Sequence, residues 1–247
     1  MKPLIIVFFC LLVTSAANGQ MPDDLPVTAL PVQKDGGLLV EDFSDEEPGS
    51  LPSRWMNQKG EAVPALYRED DRNRYHYQVM EENGNRFLRF DGVRGAHLNF
   101  PVRKVENFNI NDYPVLTWQW RAHVLPEGAN EDNNSTNDVT ASIYVVFSVN
   151  WLGIPRVIRY TWSSTLPAGT ELSKNFNNQK IIVVESGEEN LGEWITFERN
   201  VKEDYRRLHG GNPPARPLAV LILSDGVSTG TPAKADYDNI RFLPASE

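Results

Sequence analysis

Five side chains in the middle of the chain have the types and spacing to grip a polar ligand. Gln119, Arg121 and His123 lie two residues apart, and Tyr144 and Arg159 follow. Arginine offers a planar fork of donors that matches a pair of sugar hydroxyls or a uronate carboxylate. Glutamine and tyrosine both donate and accept, and histidine changes charge near neutral pH. The chemistry this predicts is hydrogen-bonded recognition of a saccharide or another polar envelope component. The alternative is a polysaccharide lyase or glycoside hydrolase, with His123 or Tyr144 transferring a proton and Arg121 neutralising a uronate. On the binding reading, Arg121→Ala abolishes binding and leaves the melting temperature nearly unchanged.

The elements that would position these residues are β-strands, because side chains alternate with a period of two. Over residues 115–124, Leu116, Trp118, Trp120, Ala122 and Val124 share one face, while Thr117, Gln119, Arg121 and His123 share the other. Residues 140–149 repeat the pattern with Ala141, Ile143, Val145, Phe147 and Val149 against Thr140, Ser142, Tyr144 and Ser148; Val146 breaks it. In residues 156–162, Ile158, Tyr160 and Trp162 oppose Arg159 and Thr161. Alternation of this kind marks antiparallel sheets with one face on a core. The expectation is that Tyr144 and Arg159 stand on strands beside Arg121, completing one polar face. Trp118, Trp120, Tyr160 and Trp162 then fill the interior rather than form a sugar-stacking platform.

Length and composition frame this reading. The chain has 247 residues, enough for one large all-β domain, with ordinary hydrophobic (40%) and charged (23%) content. A net charge of −9 argues against nucleic acid as a partner, since phosphate contacts need clustered Lys and Arg. Met1 and Lys2 precede an apolar run, residues 3–13, and small residues at 14–19. This is the pattern of a cleaved secretory signal over residues 1–19, too short to span a membrane. The expected location is therefore the periplasm or the extracellular space, with no membrane span. The single cysteine, Cys10, falls inside that signal, so the exported chain is expected to have neither disulfides nor thiolate chemistry.

An extended arm is expected over residues 20–37, then a single domain over residues 38–243, acting as a monomer. Strands are expected at 38–43, 75–80, 87–90, 96–100, 180–184, 194–198, 218–223 and 235–242, beside the central three. An irregular strand over residues 55–65 should hold a buried Trp55. Asn83-Gly84 is a hairpin signal. Asn200 and Glu203 open one short helix that Gly210 and Gly211 stop. About ten strands with one helix and no repeat imply an all-β, two-sheet antiparallel sandwich of jelly-roll type.

Catalytic motifs are sparse. Gly226 to Gly230 matches Gly-x-Ser-x-Gly, but Thr231-Pro232 leads toward a strand, whereas a nucleophile elbow must enter a helix. His76, His97, His123 and His209 lack metal-ligand spacing. The oxygen-rich stretch from Asp132 to Asp138 lacks the glycine and glutamate of an EF-hand loop. A third function, scaffold or subunit of an envelope complex, leaves no mark of its own.

Several motifs in order resemble a family of exported bacterial proteins catalogued as a domain of unknown function, numbered three thousand and forty-seven. They are Trp118-Gln119-Trp120, Asn137-Asp138 leading into residues 143–147, Tyr160-Thr161-Trp162, residues 183–187, Trp194, and Arg199 with Asp204-Tyr205-Arg206. Ser224-Asp225, Thr229-Gly230 and Ala235 through Ile240 complete the series, which covers roughly residues 38–243. The resemblance implies bacterial origin and brings no established activity. His209 departs from it, where an aromatic residue is expected before the glycine. The ends of the domain, Glu41-Asp42 and Tyr237 through Ile240, are also similar to the edges of jelly-roll carbohydrate-binding modules. That likeness implies neighbouring first and last strands and a structural calcium held by Glu41 or Asp42 with Asp238.

Overall fold

The computed structural model describes residues 29–57, 60–63 and 76–245. The expected signal over residues 1–19, the first part of the arm, the end of the irregular strand and Tyr75 lie outside the described residues. Among the described residues twelve strands form two sheets, with strand at 44% of those residues against 6% helix. The chain is an all-β two-sheet sandwich.

The first sheet is built on β5 (Val115–Val124) and β12 (Ala233–Leu243), which pair antiparallel along most of their length. β10 (Ile195–Asn200) flanks β5. On the other edge of β12 lie β3 (Asn85–Gly92), followed outward by β2 (Tyr77–Glu82), and β1 (Leu38–Glu41). A bulge in β12 at Asn239, whose φ is 49°, lets both Tyr237 and Ile240 point inward. The β2–β3 hairpin turns on Asn83 and Gly84 at φ 54° and 79°, the positive-φ pair a two-residue turn requires.

The second sheet runs β4 (Leu98–Phe100), β11 (Ala219–Asp225), β6 (Val139–Val149), β7 (Pro155–Ser163), β9 (Gln179–Ser186) and β8 (Glu171–Lys174). It departs from the all-antiparallel expectation at one place: β7 and β9 are parallel. The chain leaves β7, forms β8 at the edge, and returns as β9 between them. β8 escapes the sequence reading because Glu171-Leu172-Ser173-Lys174 carries a single apolar residue.

The sheets meet over a ring-rich core. Trp118 and Trp120 of β5 and Tyr160 and Trp162 of β7 are at most 1% exposed, as their alternation predicts. Trp118 packs against Tyr160 across the sandwich with centroids 5.4 Å apart. Each such ring buries about 150–250 Å², a gross gain of about 4–6 kcal/mol at ~25 cal/mol per Å², before conformational entropy. Hydrogen bonds add register: Tyr237 of the first sheet donates to the Leu223 carbonyl and accepts from the Ser142 amide in the second.

The helix α1 (Val201–His209) starts where Asn200 Oδ1 accepts the Glu203 amide at 3.1 Å, and ends at Gly210, φ 76°. Tyr205 packs on Phe147 at 4.5 Å and His209 on Tyr205 at 5.0 Å, so the imidazole takes the place expected of an aromatic ring. Asp204, buried, accepts from Arg199, Arg207 and the Tyr160 hydroxyl and pins the helix to the sandwich. Among the described residues no helix is long and apolar enough to cross a membrane.

Candidate ligand-binding faces

Because β5 turns its tryptophans inward, Gln119, Arg121 and His123 must point outward from the first sheet. Pairing then decides what they meet. Asp236 on β12 lies opposite Arg121, and opposite Arg89 of β3 on its other side. The result is one carboxylate, fully buried, held by three cationic or potentially cationic groups. Arg89 donates Nε to Oδ1 at 2.6 Å and Nη2 to Oδ2 at 2.9 Å. Arg121 Nε donates to Oδ2 at 2.9 Å, and His123 Nε2 lies 2.7 Å from the same oxygen. Arg121 Nη2 reaches a further carboxylate, Glu82, at 2.8 Å.

Burial pushes the Asp236 carboxyl up, but hydrogen bonds from Arg89 and His123 outweigh it and hold it below the usual carboxylate range. Asp236 is therefore ionised at neutral pH. Two aromatic rings frame the network. Phe87 of β3, only 2% exposed though it faces outward, lies under both guanidinium groups at 5.3 Å. Trp194, one residue before β10, stands half-buried beside Arg121, whose guanidinium sits 4.8 Å from its ring centre. Trp194 also meets Phe87 edge-on at 5.5 Å. Gln119 donates to Thr196 at 2.9 Å and accepts from Asn239 at 2.7 Å, so its amide is oriented as well.

Two expectations are corrected here. Tyr144 and Arg159 do not join this face. The chain crosses from β5 in the first sheet to β6 in the second, so the same polar rhythm points to the opposite side of the sandwich. Arg121 is also not a free ligand group: it is 9% exposed with two carboxylate partners, so its removal should cost stability. The residues the sequence reading missed are Asp236, Arg89, Glu82, Phe87 and Trp194. Alternation places each on an outward face, but which strands adjoin β5 is not written in local sequence.

On the outer face of the second sheet, Tyr144 and Arg159 pair across β6 and β7, with the guanidinium 5.4 Å from the ring centre. His97 meets the same ring edge-on at 5.7 Å. Burial, and then the charge of Arg159, hold the His97 imidazole down at about 4, so it is neutral there.

The residues considered for calcium have protein partners. Glu41 Oε1 accepts the Asp42 and Phe43 amides, and Oε2 accepts the Trp55 indole at 3.2 Å. Asp42 takes the Ser44 amide and hydroxyl, while Asp238 takes Asn85 and the Asn239 amide. Burial raises Glu41 to about 7 and Asp238 to about 6. Among the described residues no group of three or more His, Cys, Asp or Glu side chains could hold a metal ion. Asp138 of the oxygen-rich loop accepts the Ser228 and Thr229 amides, at 3.0 Å and 2.6 Å, and so fixes the Gly226 to Gly230 turn.

What the fold and its faces define is a β-sandwich with an ordered polar and aromatic surface on one sheet. The chain belongs to the family described as "Protein of unknown function (DUF3047)", which matches residues 65–241. No curated protein matches it. Among solved structures it is similar to a non-crystalline-cellulose-specific carbohydrate-binding module, CBM28 (14% identity, TM-score 0.39, covering 88% of this chain and 99% of that one). It is similar too to the family 11 module of cellulase Lic26A-Cel5E of Clostridium thermocellum (11%, 0.39, 87% and 98%). The family 30 module of cellulase Cel9D-Cel44B of the same organism stands at 11%, 0.39, 87% and 97%. What those modules bind is a property of those modules.

Proposed function

We propose that the outer face of the first sheet binds a saccharide, with Trp194 as the ring that stacks on a sugar and Glu82, His123, Arg89 and Gln119 as its polar surround. The observation that carries this reading is the setting of Trp194. Its half-buried ring stands beside side chains whose planes are already fixed by Asp236, Thr196 and Asn239. A flat ring meets the C–H face of a pyranose, and oriented planar polar groups meet its hydroxyls without a further ordering cost. Arg121 is the positioning group, holding Trp194 on one side and Glu82 and Asp236 on the other. The test is titration of neutral and acidic oligosaccharides onto the protein and Trp194→Ala. Equal affinity in the two would remove the stacking role.

One observation favours a second reading. Asp236 fixes the His123 ring at 2.7 Å, the arrangement that orients an imidazole for proton transfer. New reducing ends or unsaturated products from a polysaccharide, lost in His123→Gln, would establish catalysis; intact polysaccharide leaves binding alone.

A further inference from the structure

The outer face of the second sheet holds a group that saccharide binding on the first does not use. Arg159 stands on β7 and is 2% exposed. Its Nη1 donates to Asn137 Oδ1 at 3.2 Å, from the loop between β5 and β6. Its Nε and Nη2 are buried and have no hydrogen-bond partner. Among the described residues no carboxylate pairs with it within 4.0 Å. A buried guanidinium in this state is among the most costly arrangements a fold can carry, unless an anion completes it.

The two idle donors form one edge of the guanidinium, and the same chain shows what that edge takes. Arg89 places Nε and Nη2 on the two oxygens of Asp236, at 2.6 Å and 2.9 Å. Arg199 places them on the two oxygens of Asp204, at 3.0 Å and 2.6 Å. In both, a carboxylate closes the fork side-on.

The surroundings favour the same occupant. The Tyr144 ring lies beneath the guanidinium. Lys174 of β8, bonded to Asn134 Oδ1 at 2.8 Å, adds a second cation. Burial and then the charge of Arg159 hold its pKa below the ordinary value, against Asp132 and Glu131. Glu131 does not serve as the counter-ion: its two oxygens accept the Thr161 and Ser163 hydroxyls, at 3.4 Å and 2.6 Å.

We propose that the Nε/Nη2 edge of Arg159 is a carboxylate-binding site on the second sheet, floored by Tyr144 and walled by Asn137. Its ligand is either an acidic sugar or a small organic acid. Asn137 holds Nη1 and leaves the Nε/Nη2 edge to the ligand. The site is independent of the saccharide face on the first sheet.

The test is calorimetric titration of the full chain with sodium acetate, sodium glucuronate and glucose, at matched ionic strength in a buffer free of other carboxylates. Both carboxylates should bind and glucose should not bind at this site. Glucuronate binding about tenfold or more tighter than acetate identifies an acidic sugar; equal affinities identify the carboxylate alone. Arg159→Gln should weaken both by about tenfold or more, while Trp194→Ala leaves them unchanged. Should Arg159→Gln fail to fold, Arg159→Lys carries the test: it keeps the charge, loses the Nε/Nη2 fork and should weaken both carboxylates by about tenfold or more, and wild-type affinity in it would overturn the site. The wild-type thermal midpoint should also rise with carboxylate over equal chloride. Absence of both heat and midpoint shift with either carboxylate, or an Arg159→Gln variant that binds like wild type, would overturn the site.

Discussion

Replacing Arg121 with Met tests whether the network on the first sheet is structural as well as recognitive. Methionine keeps much of the stem volume and removes the charge and every donor. The variant loses both contacts to Asp236 and one to Glu82, with stacking on Trp194 at 4.8 Å and Phe87 at 5.3 Å. Breaking a buried ion pair costs about 3–5 kcal/mol when the partner is left alone. Here Asp236 keeps the bidentate Arg89 and His123, so about 2 kcal/mol is the appropriate share. The Glu82 pair is half-exposed, at 51%, and adds at most a few tenths. Loss of the cation over two rings adds about 1 kcal/mol. The total, about 3 kcal/mol, lowers the melting temperature of a domain this size by about 6–12 °C. Glu82→Gln is the internal control, with an expected drop of about 2 °C or less. The assay is thermal unfolding by circular dichroism at pH 7. An Arg121→Met variant melting within about 1 °C of wild type would refute the network as drawn.

Other outcomes follow from single contacts. Burial raises the Glu41 pKa to about 7 in the folded state, so its contribution is fully present below the unfolded value of 4.5 and is lost as pH rises through 7. Wild-type stability should therefore fall between pH 5 and 8 by up to on the order of 3 kcal/mol, and Glu41→Gln should flatten that slope; a slope unchanged by the substitution would contradict the assignment. Asp236 works in the opposite sense: its lowered pKa gives stability that is lost only in acid, below 3.8, and Asp236→Asn should weaken that acid limb in a pH-melting series. Gly226→Ala should destabilise sharply, since a Cβ there would stand 1.8 Å from the Thr231 carbonyl oxygen; a normal melting temperature would show that this turn is not tight. Tyr237→Phe leaves the Ser142 amide without its cross-sheet acceptor and should cost about 1–3 kcal/mol in chemical denaturation.

Much of the fold is legible in the strand rhythm. The inward set of β5 and β7 follows from alternation because a one-residue slip would turn Arg121 into the core between the sheets and Trp120 out of it. The hairpin at Asn83-Gly84 and the cap at Asn200 are local chemistry, and local chemistry is readable. What fails is adjacency. Arg121 and Asp236 are 115 residues apart in sequence and meet only because β12 returns between β5 and β3. Nothing near Arg121 announces that partner, so a group bound on two sides looks free. The same blindness joins Tyr144 and Arg159 to the wrong sheet. Val146, the residue that breaks the alternation of β6, has a physical reason: the outer face of the second sheet is itself buried there, in a cluster with Tyr144, Val157, Leu221 and Leu223. An inside–outside rule assumes one wet face, and this sheet violates that assumption. β8 is missed for the opposite reason, since an edge strand of Glu171, Leu172, Ser173 and Lys174 can remain polar while its partner β9 supplies the ladder.

The most direct test of saccharide recognition by the first sheet is oligosaccharide titration onto the wild type and Trp194→Ala, each confirmed folded by circular dichroism. Losing one stacked ring face removes about 1.5 kcal/mol, so affinity should fall by about tenfold, while the carboxylate titration at Arg159 stays unchanged. Retention of full affinity by Trp194→Ala, or no glycan bound by the wild type across neutral and acidic panels, would contradict it.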